Sequence, residues 1–206
     1  LVRILNPKGG KIYDPCCGTG GMFIHTINYL KEQNNNFPEI KFFGQESNPK
    51  TWRFAKKNLL QEELPHNLGE SECDTLLKPV HDDESFDYCL ANPPFNISRW
   101  NPESLTLADV MVMGLPPDGC ANYAWLQHII SRLNSNGKAA VILANGSLDA
   151  VDGGQKEIRE KMINSGVVEA IISLPGELFF STTIPVSIWV LNKAKMGKKG
   201  DVLFID

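Results

Sequence analysis

The stretch KIYDPCCGTGGMFIHTINYLKEQ, Lys11 to Gln33, reads as a strand, a glycine-rich turn and a helix in direct succession. KIYD carries the β-branched and aromatic side chains of a buried strand. DPCCGTGGM then places glycines at the entry to the helical period of GMFIHTINYLKEQ. Gly18, Gly20 and Gly21 allow a tight turn and let backbone amides approach a ligand closely. A unit of this kind belongs to an open, mostly parallel sheet, whose ligands bind beyond the carboxyl ends of the strands.

Outward from this unit the alternation of strand and helix continues. KFFGQE, residues 41–46, predicts a second strand, followed by a helix from Pro49 through TWRFAKKNLL, where the proline suits a first turn. ESECDTLL predicts a third strand ending near Asp74, and FDYCLAN, residues 86–92, a fourth. ANYAWLQHIISRL predicts a helix, GKAAVILAN a fifth strand, and QKEIREKMINSG a helix ended by Gly166. VVEAIISLP, SIWVLNK and DVLFID complete the strands. The expected class is α/β, with helices on both faces of a mostly parallel sheet. Residues 97–120 are rich in Pro, Gly and Asn, too long for a simple connection, and read as a functional loop that folds over the substrate. No repeat, low-complexity segment or linker divides the chain, so residues 1–206 are read as one domain.

Composition narrows the class further. With no run of about 18 uncharged apolar residues, no membrane-spanning helix is expected, and LVRILNPKGG does not read as a signal peptide. A start at Leu1 rather than Met reads as a fragment of a longer protein. The five cysteines lack the paired spacings of a metal site or a disulfide scaffold and read as packing residues of a reduced, cytoplasmic protein. KAKMGKK, Lys193 to Lys199, reads as a solvated hairpin loop. A net charge of −4 argues against a stand-alone nucleic-acid binder, so any grip on DNA must come largely from a partner or another segment.

The strand ends carry the chemistry. GTGG departs from the GxGxxG dinucleotide fingerprint, and no Lys-Ser/Thr follows it as in a triphosphate-binding loop. Asp14, at the end of the first strand, sets a carboxylate where a pyrophosphate is repelled and a sulfonium or ammonium attracted. Glu46, closing the second strand, can accept from both hydroxyls of a ribose. Asp74 can accept from an adenine amino group, although a turn role is open to it as well. The candidate cofactor-binding residues are therefore Asp14, Cys16, Gly18, Thr19, Gly20, Gly21, Glu46 and Asp74, with no metal.

LANPPFN, Leu90 to Asn96, ends the fourth strand on two prolines that cannot continue a ladder. Asn, Asp or Ser followed by Pro-Pro-aromatic arises by accident in on the order of one chain in a hundred of this size. Its chemistry fits methylation of an exocyclic amine, whose nitrogen lone pair is delocalised into a ring. The Asn92 side-chain carbonyl and the Pro93 backbone carbonyl can each accept one amine hydrogen, drawing the nitrogen toward tetrahedral geometry. Pro94 stiffens the turn, and Phe95 offers a face on which an extruded base can stack. Asn92, Pro93, Pro94 and Phe95 are the candidate catalytic residues.

Taken together, DPCCGTGGM, GQESNPKTWRFAKKNL, FDYCLANPPFN, NYAWLQHII, VILANGS, IREKMI and LPGELFFSTTIPVSIWVLNK resemble the modification subunit of type I restriction-modification systems. The resemblance runs from about Ile12 to Asp206 and implies an adenosylmethionine-dependent adenine-N6 DNA methyltransferase. It implies a class I methyltransferase fold with seven strands and an antiparallel C-terminal hairpin. It also implies Asp14, Gly18 and Gly20 at the methionine end of the cofactor, Glu46 on its ribose, Asp74 on its adenine and Asn92 to Phe95 as catalytic loop. The implied partners are double-stranded DNA with a flipped adenine, a specificity subunit and a restriction subunit, with no membrane. The family's upstream helical domain, its Phe-x-Thr-Pro motif and its C-terminal region lie outside these 206 residues. A methyltransferase acting on another planar amine, a protein glutamine or a ribosomal RNA guanine, is the alternative that NPP-aromatic leaves open. A nicotinamide-binding protein is disfavoured by Asp14.

Overall fold

Successive residues of each central strand belong to opposite apolar faces, which is what turns these runs into the middle layer of a sandwich. A computed structural model of the chain describes residues 1–33, 39–100, 110–179, 183–198 and 200–206. In β1 (Gly10–Asp14), Ile12 faces one side and Tyr13 the other; in β2 (Ile40–Gly44), Phe42 and Phe43 divide the same way. Leu90 and Cys89 do so in β4 (Phe86–Ala91), and Ala140 and Val141 in β5 (Leu133–Ala144). Helices α1 (Val2–Leu5), α2 (Gly21–Gln33) and α3 (Pro49–Gln61) cover the first face with Val2, Phe23, Ile27, Trp52 and Leu59. Helices α4 (Asn122–Arg132) and α6 (Gln155–Asn164) cover the second with Tyr123, Leu126, Ile129, Ile158 and Met162. A short α5 (Gly146–Asp149) follows β5.

The sheet order is β3-β2-β1-β4-β5-β7-β6-β8, completed by β3 (His66–Asn67), β6 (Val168–Leu174), β7 (Val186–Asn192) and β8 (Leu203–Ile205). All pairings are parallel except those of β7, which runs antiparallel to both β5 and β6. Order therefore reverses between β1 and β4, and a crevice opens above their carboxyl ends. Among the described residues no helix is long and apolar enough to cross a membrane.

Two expectations need correction. Among the described residues the sheet has eight strands where the family resemblance implies seven; the eighth, β8, lies in DVLFID, which the residue pattern itself reads as a strand. The third strand is His66–Asn67, paired with Phe42 and Phe43, and not ESECDTLL. In that segment Asp74 Oδ1 accepts from the Leu76 amide at 2.9 Å, while the Leu77 and Lys78 amides return to the Asp74 carbonyl. Local turn bonds centred on an aspartate have displaced a ladder. The helix boundaries follow local signals more closely: Asn48 caps α3 by accepting from the amides of Lys50 and Thr51, with Pro49 in its first turn.

Gly166 ends the α6 connection at φ 77°, and a Cβ there would lie 2.4 Å from the Lys198 carbonyl oxygen and 2.8 Å from that of Lys195. Backbone cannot yield as a flexible side chain does. Gly166→Ala is expected to cost on the order of 2 kcal/mol, read as a fall in the denaturation midpoint with unchanged m-value.

Candidate active site

At the end of β1 the chain turns back under its own aspartate: Asp14 Oδ1 accepts from the Cys16 amide at 3.0 Å. The turn is locked to the neighbouring strand end by the Gln45 amide on the Asp14 carbonyl, 3.1 Å, and the Cys17 amide on the Gln45 carbonyl, 2.8 Å. Gly18 and Gly20 take φ of 56° and 81°, as a chain turning into α2 requires. Nothing lies within 4 Å of a Cβ built on Gly18, so this part of the turn faces open space. Asn58 of α3 donates to the Thr19 carbonyl at 3.0 Å and ties the turn to the next helix.

Glu46 holds the two strand ends in register. Its Oε2 accepts from the Gly18 amide at 3.1 Å and its Oε1 from the Asn48 amide at 2.7 Å. A carboxylate has about four lone-pair positions, so two bonds leave capacity for a diol. The Glu46 carbonyl in turn receives the Cys73 amide at 2.9 Å, and Thr75 donates its hydroxyl to the Pro15 carbonyl. These contacts bring Asp74 beside Glu46, with Asp74 Oδ2 outside the turn bond that occupies Oδ1.

A cavity of about 370 Å³ runs from these acids to the end of β4. That volume is at the small-molecule end of ordinary ligand sites. Pro15, Cys16, Glu46, Ser47, Cys73, Asp74 and Thr75 line one part; Asn92, Pro94, Ile97 and Trp125 line the other. Of the residues singled out from sequence, Cys16, Glu46, Asp74, Asn92 and Pro94 therefore share one cavity. Asp14 is buried beneath it, and Gly18, Thr19, Gly20 and Gly21 do not line it, Gly18 meeting it only through its amide bond to Glu46. Pro93 is buried, whereas Phe95 is half-buried and meets Phe179 edge to face, with ring centroids 6.0 Å apart. Thr75 and Trp125 were not legible as site residues, and Ile97 was singled out only as part of the 97–120 loop. The apolar cluster of Leu76, Trp100, Val110, Met111, Ala124 and Trp125 that supports them draws on distant parts of the chain. The 97–120 loop contributes Ile97, Trp100, Val110 and Met111 to this cluster, while its residues 101–109 lie outside the described residues.

Beneath the site, the Tyr13 hydroxyl lies 3.0 Å from His128 Nε2 and 3.3 Å from Gln45 Oε1. Gln45 also accepts from the Val80 amide and donates to the Lys78 carbonyl, so this buried network fixes the segment after Asp74. Burial holds His128 down to about 3, with Arg132 adding to the effect, so its imidazole stays neutral.

The arrangement is that of a class I adenosylmethionine-dependent methyltransferase: a glycine turn after β1, an acid after β2, a second acid beyond it, and a ligand crevice where strand order reverses. Across residues 1–206 the chain matches the family model described as N-6 DNA Methylase, and it belongs to that family. It is 42% identical over 206 residues to the type I restriction enzyme HindI methylase subunit of Haemophilus influenzae, covering 100% of this chain and 46% of that protein. Its identity to the type I restriction enzyme MjaIX methylase subunit of Methanocaldococcus jannaschii is 37%, covering 100% of this chain and 38% of that protein. The crystal structure of the type I restriction-modification system methyltransferase subunit from Streptococcus thermophilus superposes with a TM-score of 0.82 at 28% identity. That match covers 100% of this chain and 45% of the other. The chain thus spans less than half the length of these relatives.

Burial raises the Asp14 carboxyl from the ordinary 3.8 to about 7, with the Cys16 hydrogen bonds opposing the rise and the Glu46 charge adding to it. Below 3.8 the folded and unfolded states both hold the proton. Between 3.8 and about 7 only the folded state does, so stability falls as pH rises through this window and then levels off. The full difference is on the order of 4 kcal/mol. Asn at this position keeps the acceptor for the Cys16 amide without the charge. Asp14→Asn is therefore expected to stabilise the protein by about 2–4 kcal/mol at pH 8 and hardly at all below pH 4, measured by denaturant titration at both.

Proposed function

We propose that this chain is the catalytic part of a methyltransferase that carries a methyl group from adenosylmethionine to the exocyclic amine of adenine in duplex DNA. The observation that carries the reading is the single cavity lined by Glu46 and Asp74 at one part and by Asn92 and Pro94 at the other. The residues fit the cofactor. Two carboxylates with spare acceptor capacity share one cavity, and the Gly18 turn faces space that no side chain fills. Glu46 would accept from the ribose hydroxyls and Asp74 Oδ2 from the adenine amino group. Adenosylmethionine, when bound, supplies a methyl group on a positively charged sulfur. The buried Asp14 charge favours that cation through space rather than by contact.

On the acceptor side, Asn92 is exposed at the end of β4, where its side-chain oxygen can take one hydrogen of an incoming amine. The Pro93 carbonyl takes the other. Both oxygens are acceptors, so they favour the positive charge that develops on nitrogen. Phe95, which meets Phe179 edge to face, supplies the aromatic surface for a base rotated out of the duplex. The charge of −4 fits a subunit whose DNA contacts are supplied elsewhere. The methylase-subunit names of the relatives support a role as modification subunit of a type I restriction-modification system. Assembly with a specificity subunit and a restriction subunit, in the cytoplasm, belongs to that role.

The test is transfer from tritiated adenosylmethionine by the full-length protein with its specificity partner, offered unmodified duplex DNA, protein or RNA. Label at adenine N6 of DNA is expected; label on a glutamine or a guanine instead would replace the reading. Asn92→Ala is expected to cut turnover on the order of a hundredfold or more, with cofactor affinity by calorimetry nearly unchanged. Glu46→Gln is expected to weaken cofactor binding by about tenfold or more, the loss of a charged acceptor.

A further inference from the structure

The Asn92–Phe95 turn is anchored twice, and its downstream anchor is a side-chain pair. Upstream, Ala91 is held in the sheet opposite Val141 of β5. Downstream, Asn96 takes φ 53°, a left-handed conformation costly to most residues and tolerated by asparagine. Asn122, the first residue of α4, receives the Asn96 amide on its Oδ1 at 3.2 Å and returns its Nδ2 to Asn96 Oδ1 at 2.9 Å. The Ala121 amide reaches the Ile97 carbonyl at 2.9 Å beside this pair. Asn122 is only 2% exposed, and both polar atoms of its side chain are spent on Asn96, Ala121 being the N-cap of the helix. Pro93 and Pro94 have no amide hydrogens with which to fix themselves. The orientation of the Pro93 carbonyl and of Asn92 is thus set by what holds the two ends.

We infer that Asn122 is a positioning residue for methyl transfer, acting through its reciprocal amide pair with Asn96 to fix the downstream end of the Asn92–Phe95 turn. This rests on the function proposed above. It assigns a purpose to the NYAW stretch: α4 carries the Trp125 wall of the cavity and, one turn earlier, the clamp on the catalytic loop. A displacement of about 1 Å in an aligned acceptor can cost on the order of a hundredfold in rate. The same displacement leaves Glu46 and Asp74, and with them cofactor binding, untouched.

The experiment measures single-turnover and steady-state transfer by the full-length protein with its specificity partner, in Asn122→Ala, Asn96→Gly and the double variant. Asn96→Gly removes the bond from Asn122 Nδ2 to Asn96 Oδ1, keeps the backbone amide on Asn122 Oδ1 and suits the left-handed backbone, so folding is retained even where Asn122→Ala is destabilised. Each single variant is expected to lose about 10- to 100-fold in kcat, with adenosylmethionine Kd changed by less than about threefold. The double is expected to be no slower than Asn122→Ala alone, because that variant already lacks the bond that Asn96→Gly removes. Wild-type kcat in Asn96→Gly, losses that multiply in the double, or kcat falling only in step with cofactor affinity would each overturn the inference. A wild-type complex that labels no adenine in DNA would instead refute the functional reading beneath it.

Discussion

The Glu46 carboxylate joins the ends of the first two strands, and most of the site follows from that junction. By accepting from Gly18 on one side and Asn48 on the other, it sets the glycine turn at a defined height above β1. It also sets the start of α3, since Asn48 is that helix's cap. The same residue's carbonyl receives Cys73, and so the segment carrying Asp74 is placed by the same short stretch of chain. A side chain that bonds to two backbone amides is restrained in both rotamer and charge, which leaves its remaining lone pairs aimed.

The second half of the cavity is built by a different device. Where the acids proposed to hold the cofactor lean on backbone hydrogen bonds between strand ends, the NPPF turn stands on two prolines, a strand ladder and an asparagine pair. Rigidity comes there from removing backbone freedom rather than from satisfying donors. The two halves meet over an apolar floor, Trp125 and its cluster, that tolerates no slack because its members are nearly fully buried. Asp14 adds a cost to this design. A carboxyl pushed to about 7 by burial is a destabilising element near neutral pH, retained beneath a site proposed to take a cation.

Several parts of this were readable from residues alone, each for a local reason. The strands around Ile12–Tyr13, Phe42–Phe43 and Leu90–Ala91 were legible because doubly buried strands leave unbroken apolar runs. The helix starts were legible because Pro49 and the GTGG turn act within three or four residues of themselves. ESECDTLL misled because an aspartate's turn bonds and a strand's ladder draw on the same β-compatible residues, and only packing decides between them. Trp125 and Ile97 carried no signal of their own, the first being one residue of a predicted helix and the second one of the 97–120 loop, and both pack in the cluster beside the cavity.

The sequence by itself determined the class of sheet, the glycine turn, the three acids and the stiff loop, since each is written in a few adjacent residues and obeys steric or hydrogen-bonding rules of short range. Tertiary structure alone decided that Glu46, Asp74 and Asn92 open onto one cavity, that Asp14 sits beneath rather than within it, and that Asn122 reaches Asn96. Those relations join residues tens of positions apart. They depend on how closely packed strands and helices stack, which no local pattern encodes.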